Sequence, residues 1–288
     1  MKVVPHAFYM HPDIEKILID GDSSIVYKKV NASDVQNQRY LSSHALTLVL
    51  QGALHVEKLN SDFTKVQKNQ MVFLPKGLYA ITDIIPQECN FEAIVFFFDQ
   101  DITDEFLNHF EAGVSTHTSC TFIIEYTERL RLYTDTLLAL YRGKHEHQFT
   151  KPKLLELLHL IGSSEIGNTF VQHLFALKNR IRLPIKSFML QNFEKPLDIV
   201  DYAYLTGRSL STFQRDFKST FNISPKKWLI EKRMNKAVHL LNTTSESVTN
   251  IAYQVGYENV SHFIKAFHKI FGSSPKQFQI NSRKNSLI

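Results

Sequence analysis

Short apolar runs at roughly ten-residue spacing occupy the chain from about Ile25 to Phe98, with Gly or Pro between them. The segment ALTLVLQGALHVEKL sets Gly52 between two strand-like runs, and NQMVFLPKGLYAITD breaks in the same way at Pro75-Lys76-Gly77. The run FEAIVFFF, Phe91 to Phe98, is apolar at nearly every position and reads as a strand covered on both faces. Several such strands predict a small barrel or jelly roll over about residues 20–100. From Thr103 to Asn179 the period changes. DEFLNHF, IIEYTERLRLYTDTLLALYRG and KPKLLELLHLIGSSEIGNTFVQHLFALKN carry apolar stripes with charged backs, the mark of amphipathic helices over about 102–178. Leu130, Leu137, Leu138, Leu154, Leu155, Leu158 and Ile161 are candidates for a dimer seam, or for packing against the strands. Amphipathic spacing does not name its partner.

The C-terminal third contains a repeat. SLSTFQRDFKSTFNISPKKWL (Ser209–Leu229) and NVSHFIKAFHKIFGSSPKQFQ (Asn259–Gln279) share their Phe triplet and a Ser-Pro-Lys, fifty residues apart. Phe213, Phe217 and Phe221, and again Phe263, Phe267 and Phe271, fall at i, i+4, i+8 and line one stripe of a helix. Asn222 and Gly272 can close these helices in the left-handed conformation, and Ser-Pro then opens the next one. Upstream of each copy, DYAYLTG and NIAYQVG place a small Ala four residues before Gly207 or Gly256. Gly at these positions supplies a positive φ for a tight turn. Short helix, glycine turn and longer amphipathic helix make a helix-turn-helix, here written twice. Ser224–Thr244 between the copies predicts a connecting helix of about 19 residues, about 28 Å long. That approaches the roughly 34 Å repeat of B-DNA, so one rigid helix could hold two recognition helices in successive major-groove turns.

Charge sharpens this picture. From Pro184 to the end the chain carries 15 Lys+Arg against 7 Asp+Glu, a net of +8, while the other 183 residues carry 18 against 21. A basic end on a mildly acidic remainder points to a polyanionic partner. The 43% apolar and 21% charged composition is that of a globular protein. No apolar run is long enough to cross a membrane, and MKVVPHAFYMHPD does not form the apolar core of a signal peptide. A cytoplasmic protein is expected, in which Cys89 and Cys120 stay reduced.

The pattern ISPKKWLIEKRMNKAVHLL…SVTNIAYQVGYENVSHFIKAFHKIFGSSPKQF resembles the AraC/XylS family of bacterial transcription regulators over about Ile185 to Ile280. The likeness includes Arg233, Ala237 and Leu241 of the connecting helix. It implies a two-domain α+β protein: a cupin-like sensor and dimerisation domain over 1–178, joined by KNRIRLP to a DNA-binding domain over 184–288. The function implied is sequence-specific transcription regulation, expected to be activation, with double-stranded DNA and RNA polymerase as partners. The first helix-turn-helix departs from the second by one residue fewer between its Gly and its Phe.

Helical faces select the residues for DNA. With Phe213 and Phe217 turned inward, Ser211, Thr212, Gln214 and Arg215 are left for base reading in the first helix. Arg215 suits guanine and Gln214 adenine, each bidentately. Asn259, Ser261, His262 and Lys265 occupy the corresponding face of the second. The family resemblance implies base contacts from the positions of Ser211, Gln214, Arg215, Ser261 and Lys265, with Val260 nearby and able to offer only an apolar touch. Lys218, Lys226, Lys227, Lys269 and Lys276 are assigned to phosphates, with simple solvation as the alternative.

In the N-terminal half, Phe73, Tyr79 and Phe96 are candidates to enclose a small-molecule effector, or else are plain core. The layout also resembles activators of type III secretion genes, which answer to partner proteins, so the input is either a small molecule or a protein. A homodimer remains an expectation tied to the leucine stripes. The rival reading is a cupin-type metal enzyme with an accessory DNA-binding domain. It is disfavoured because the strand region contains no His-x-His, and the pair His145/His147 sits in a polar stretch without further ligands. No nucleophile–base pair or phosphate loop stands out. Neither catalysis, a metal nor a cofactor is expected.

Overall fold

The computed structural model describes residues 2–31, 37–58, 63–86, 89–112, 122–144, 146–178 and 182–285. The chain divides into two compact units, Met1–Asn179 and Arg180–Ile288.

The first unit begins with β1 (Lys2–Val4), α1 (His6–Tyr9), β2 (Ile14–Asp20), β3 (Ser23–Val30), β4 (Asn37–Leu41) and β5 (His44–Gln51). It continues with β6 (Ala53–Lys58), β7 (Phe63–Val66), β8 (Gln70–Leu74), β9 (Gly77–Ile84) and β10 (Phe91–Phe98). Then follow α2 (Gln100–Leu107), β11 (Phe122–Glu125), α3 (Glu128–Tyr141), α4 (Thr150–Gly162) and α5 (Gly167–Lys178). The strands make two sheets, of order β1-β4-β9-β6-β7 and β11-β8-β5-β10-β3-β2. No strand pairing among the described residues joins them into a closed ring. The predicted cupin-like barrel is therefore replaced by a two-sheet sandwich, and it begins at Lys2 rather than near residue 20.

The six-stranded sheet explains the apolar run of β10. Its alternate side chains feed two different cores. Phe91, Ala93, Val95 and Phe97 pack between the sheets with Val49, Val56, Val72 and Ile81. Ile94, Phe96 and Phe98 turn the other way and join Leu46, Leu48 and Phe73 beneath α2–α5. A strand covered on both faces has no polar side to show, so its period disappears.

Two helical expectations change here. Phe122–Glu125, read as the start of a helix, is β11, paired antiparallel with β8 through Phe122↔Phe73 and Ile124↔Met71. Its β-branched Ile123 and Ile124 suit an edge strand better than a helix start. The leucines proposed for a dimer seam are occupied internally. Leu130, Leu137, Leu154, Leu158 and Ile161 are buried members of the core against the six-stranded sheet, and Leu138 and Leu155 pack on its margin.

One charged cluster crosses the sandwich. Lys28 of β3 pairs with Asp83 of β9, and Arg39 of β4 approaches the same carboxylate oxygen at 3.4 Å. All three are buried. Lys28 Nζ also lies 5.2 Å from the centre of the Phe91 ring.

The second unit is helical: α6 (Ile185–Asn192), α7 (Ile199–Leu205), α8 (Leu210–Phe221), α9 (Pro225–Thr243), α10 (Val248–Gln254), α11 (Val260–Phe271) and α12 (Pro275–Asn285). Each Phe triplet puts two rings fully inside, Phe213 and Phe217 on α8, Phe263 and Phe267 on α11. The third ring meets an aromatic from the next helix: Phe221 lies 5.0 Å from Trp228, and Phe271 lies 5.9 Å from Phe278.

Leu158 tests the reassigned leucine stripe. Leu158→Ala should cost about 2–5 kcal/mol of unfolding free energy, and Leu158→Asp should prevent the N-terminal unit from folding. Circular dichroism with gel filtration decides. A well-folded Leu158→Asp monomer would restore the seam.

Candidate nucleic-acid interface

Local sequence sets each helix-turn-helix. Asp198 and Asp201 form a capping box at the start of α7, and the Ser247 hydroxyl accepts from the Asn250 N–H at the start of α10. At the other end, the Arg208 N–H donates to Ala203 O at 2.9 Å, and the Tyr257 N–H donates to Ala252 O at the same distance. The N–H groups of Gly207 and Gly256 close the inner bonds to Tyr204 O and Tyr253 O. Both turns are thus Schellman motifs, with a left-handed glycine at φ +70 and +88. The recognition helices begin fifty residues apart, at Ser209 and Asn259, so the one-residue difference between the copies lies in the turn.

Gly256 has a second reason to be glycine. A Cβ there would stand 2.7 Å from Glu194 O and 3.0 Å from Arg233 Cζ. Arg233 of α9 is buried, and its guanidinium donates to Phe193 O at 2.8 Å, Lys195 O at 2.5 Å and Leu197 O at 3.4 Å. These carbonyls follow the C-terminal end of α6, where a positive charge is favoured. The same guanidinium lies 5.7 Å from the Tyr257 ring centre. Beside it, the Tyr202 hydroxyl donates to Asn192 O at 2.9 Å, and burial pushes this phenol's pKa up to about 12. One arginine on the connecting helix therefore touches the entry to the first helix-turn-helix and the turn of the second.

The exposed faces carry most of the expected residues. Ser211, Gln214, Arg215 and Lys218 lie exposed on α8, and Ser261, His262, Lys265 and Lys269 on α11. Lys226, Lys227 and Lys276 are exposed at the starts of α9 and α12. Arg215 is 3.5 Å from Asp216, with 76% of its side chain exposed. Asp216 is held more closely by Arg208, at 3.1 Å, and chiefly through that contact its carboxyl lies below the ordinary range. The carboxylate that competes for Arg215 thus already has a stronger partner.

Four expectations shift. Asn259 caps α11, its side-chain oxygen accepting from the His262 N–H at 3.2 Å, which draws it away from base reading. Thr212 is half-buried, with its hydroxyl accepting from the capping Ser209 at 2.9 Å. Val260 packs on the core of the second helix-turn-helix. Finally, Phe73 and Phe96 face the helices while Tyr79 lies between the sheets, so the three aromatics do not enclose one effector cavity. A cavity of about 220 Å³ opens instead beside the charged cluster, lined among others by Lys2, Phe8, His11, Lys28, Arg39 and Asp83. Sequence reading missed that cluster, because Lys28, Arg39 and Asp83 are scattered over 55 residues.

No group of three metal-binding side chains occurs among the described residues. His147 Nδ1 is bonded to Ile19 O, and His145 lies outside the described residues. Cys89 is exposed, and Cys120 is also outside them. No helix among the described residues is long and apolar enough to cross a membrane.

Residues 202–281 match a family model described as a helix-turn-helix domain, and residues 44–173 match the ExsA N-terminal regulatory domain. The chain belongs to the AraC/XylS family of DNA-binding transcription regulators. It is 26% identical over 246 residues to the thermoregulatory protein LcrF of Yersinia pestis, covering 83% of this chain and 90% of LcrF. The virulence regulon transcriptional activator VirF of Yersinia enterocolitica matches at the same identity and coverage. The regulator ExsA of Pseudomonas aeruginosa is 30% identical over 135 residues, 46% of this chain and 49% of ExsA. Crystal structures of ToxT from Vibrio cholerae align over 91% of this family member and 98% of ToxT, at 9% identity with a TM-score of 0.45.

The Arg233 contact predicts two outcomes, both read through Trp228, the only tryptophan. Arg233→Ala leaves three carbonyls without their donor and should destabilise the second unit by about 3 kcal/mol. Gly256→Ala should cost at least about 1–2 kcal/mol from the left-handed φ alone. Unchanged denaturation midpoints in the tryptophan signal would contradict both.

Proposed function

We propose that this regulator is a transcriptional activator that reads two neighbouring major-groove segments, one with each recognition helix. The supporting observation is the matched pair of exposed rows on α8 and α11, joined by the 19-residue α9 and tied together by Arg233. On α8, Ser211, Gln214 and Arg215 supply base reading, with Arg215 directed to guanine and Gln214 to adenine. On α11, Ser261 and Lys265 do so, with His262 at the flank of the row. Lys218, Lys226, Lys227, Lys269 and Lys276 neutralise phosphates. Activation is taken from LcrF and VirF, whose likeness extends over most of this chain. RNA polymerase is the partner that activation implies. The N-terminal unit carries the regulatory input, and the matched ExsA N-terminal regulatory domain supports that assignment. The buried leucine stripes offer no dimer surface, so any self-association uses other residues.

Two measurements test this reading. Affinity of the full chain for its site should fall with salt along a log–log slope of roughly −5, as counterions leave a handful of phosphates. Arg215→Ala should lose roughly 1–3 kcal/mol on the cognate duplex and little on a scrambled one, whereas Lys265→Ala should weaken both more evenly. An equal loss on both duplexes for Arg215→Ala would make it a backbone contact and sink its base-reading role.

A further inference from the structure

The recognition helices correspond residue for residue at an offset of fifty. Each presents four side chains at i, i+3, i+4 and i+7 on the face opposite its phenylalanines: Ser211, Gln214, Arg215 and Lys218, then Ser261, Ile264, Lys265 and His268. Three pairs keep their chemistry. Serine faces serine, arginine becomes lysine, and lysine becomes histidine. Only the second position changes class, from an amide to an isoleucine.

Ile264 is not core. It is 37% exposed, while Phe263 and Phe267 beside it are fully buried and Val260 packs on their cluster. The other exposed isoleucine of α11, Ile270, sits six residues further on and off the row, at the position of Thr220. Ile264 is therefore the one apolar group in a row whose other members are hydrogen-bonding or basic. In the major groove, the apolar feature of a base edge is the thymine C5-methyl group. An isoleucine there cannot satisfy a cytosine amine or a purine N7 and would strip them of water, which costs free energy. Against a thymine it covers a methyl group and gains.

We propose that Ile264 determines specificity, selecting a thymine methyl for the second helix-turn-helix where the first reads a hydrogen-bonding edge through Gln214. This rests on the reading that α11 lies in the major groove. The two copies then differ in what they recognise and not in how they dock.

The test uses the full-length protein. A site is first selected from a pool of randomised duplexes, and each thymine of the half-site that depends on Lys265 is replaced in turn by deoxyuridine. That change removes one methyl and leaves every hydrogen-bonding group. One replacement should weaken binding by about fourfold, the worth of one buried methyl. Ile264→Ala should weaken the parent site and be indifferent to that same deoxyuridine, while its thermal melting stays at the wild-type value because the side chain is exposed. The inference is overturned if every deoxyuridine is neutral, if the half-site contains no thymine, or if Ile264→Ala keeps the deoxyuridine penalty. A pool that yields no enriched sequence removes the DNA-reading assignment itself. An enriched site with neutral deoxyuridines leaves that assignment standing and removes only the role of Ile264.

Discussion

The DNA-binding unit depends on the buried guanidinium of Arg233. A charge inside a small helical unit is tolerated only if its donors are satisfied, and here three carbonyls beyond the end of α6 do so. The fork geometry matters, because a lysine would offer a point charge and could not span the three acceptors in the same way. The contact also explains Gly256, since the chain passes so close to Glu194 and Arg233 that a methyl group does not fit. Through this one side chain, the connecting helix holds both helix-turn-helix motifs at a defined spacing. Two recognition helices on a flexible tether would each bind weakly. Held rigidly, the second binds without a further loss of orientational freedom.

The repeat separates mechanics from chemistry. Everything that shapes a copy is kept: the hydroxyl or amide caps, the left-handed glycine, the inward rings, and the Ser-Pro that starts the following helix. Even the aromatic that closes each triplet recurs seven residues after the third Phe, as Trp228 or Phe278. Core positions change only to another ring because packing there leaves little latitude. The outward row has no such constraint and is where Gln214 and Ile264 part.

This division also explains which parts were legible in the sequence. Caps, glycine turns and Phe stripes are local, and local rules place them, so the C-terminal unit follows from its residues almost element by element. In the first unit the strands were visible but their closure was not, because alternation shows that a strand has two faces without saying what covers each. The stripe from Leu130 to Ile161 shows the same limit, its spacing fitting a second copy or a sheet equally well. Phe122–Glu125 was misread because four residues are too few to distinguish a helix start from an edge strand. Asn259 was assigned to bases because its position on the exposed face was evident and its competing bond to the His262 N–H was not.

The charged cluster of the sandwich lies beyond any such reading, and it carries its own constraint. Lys28 belongs to one sheet, Arg39 and Asp83 to the other. Removing water from three charges is expensive, and a packed apolar trio of the same volume would often stabilise as well. What the cluster adds is register. A one-residue slip of β3 would carry Lys28 to the helix-covered face, where Tyr27 now stands with Ile25, and would leave Asp83 without its ammonium. The apolar residues around it, largely Val, Leu and Phe, could interdigitate in more than one alignment. A buried cation and carboxylate from opposite sheets can meet in only one, so the polar cluster specifies the stacking that the hydrophobic residues stabilise.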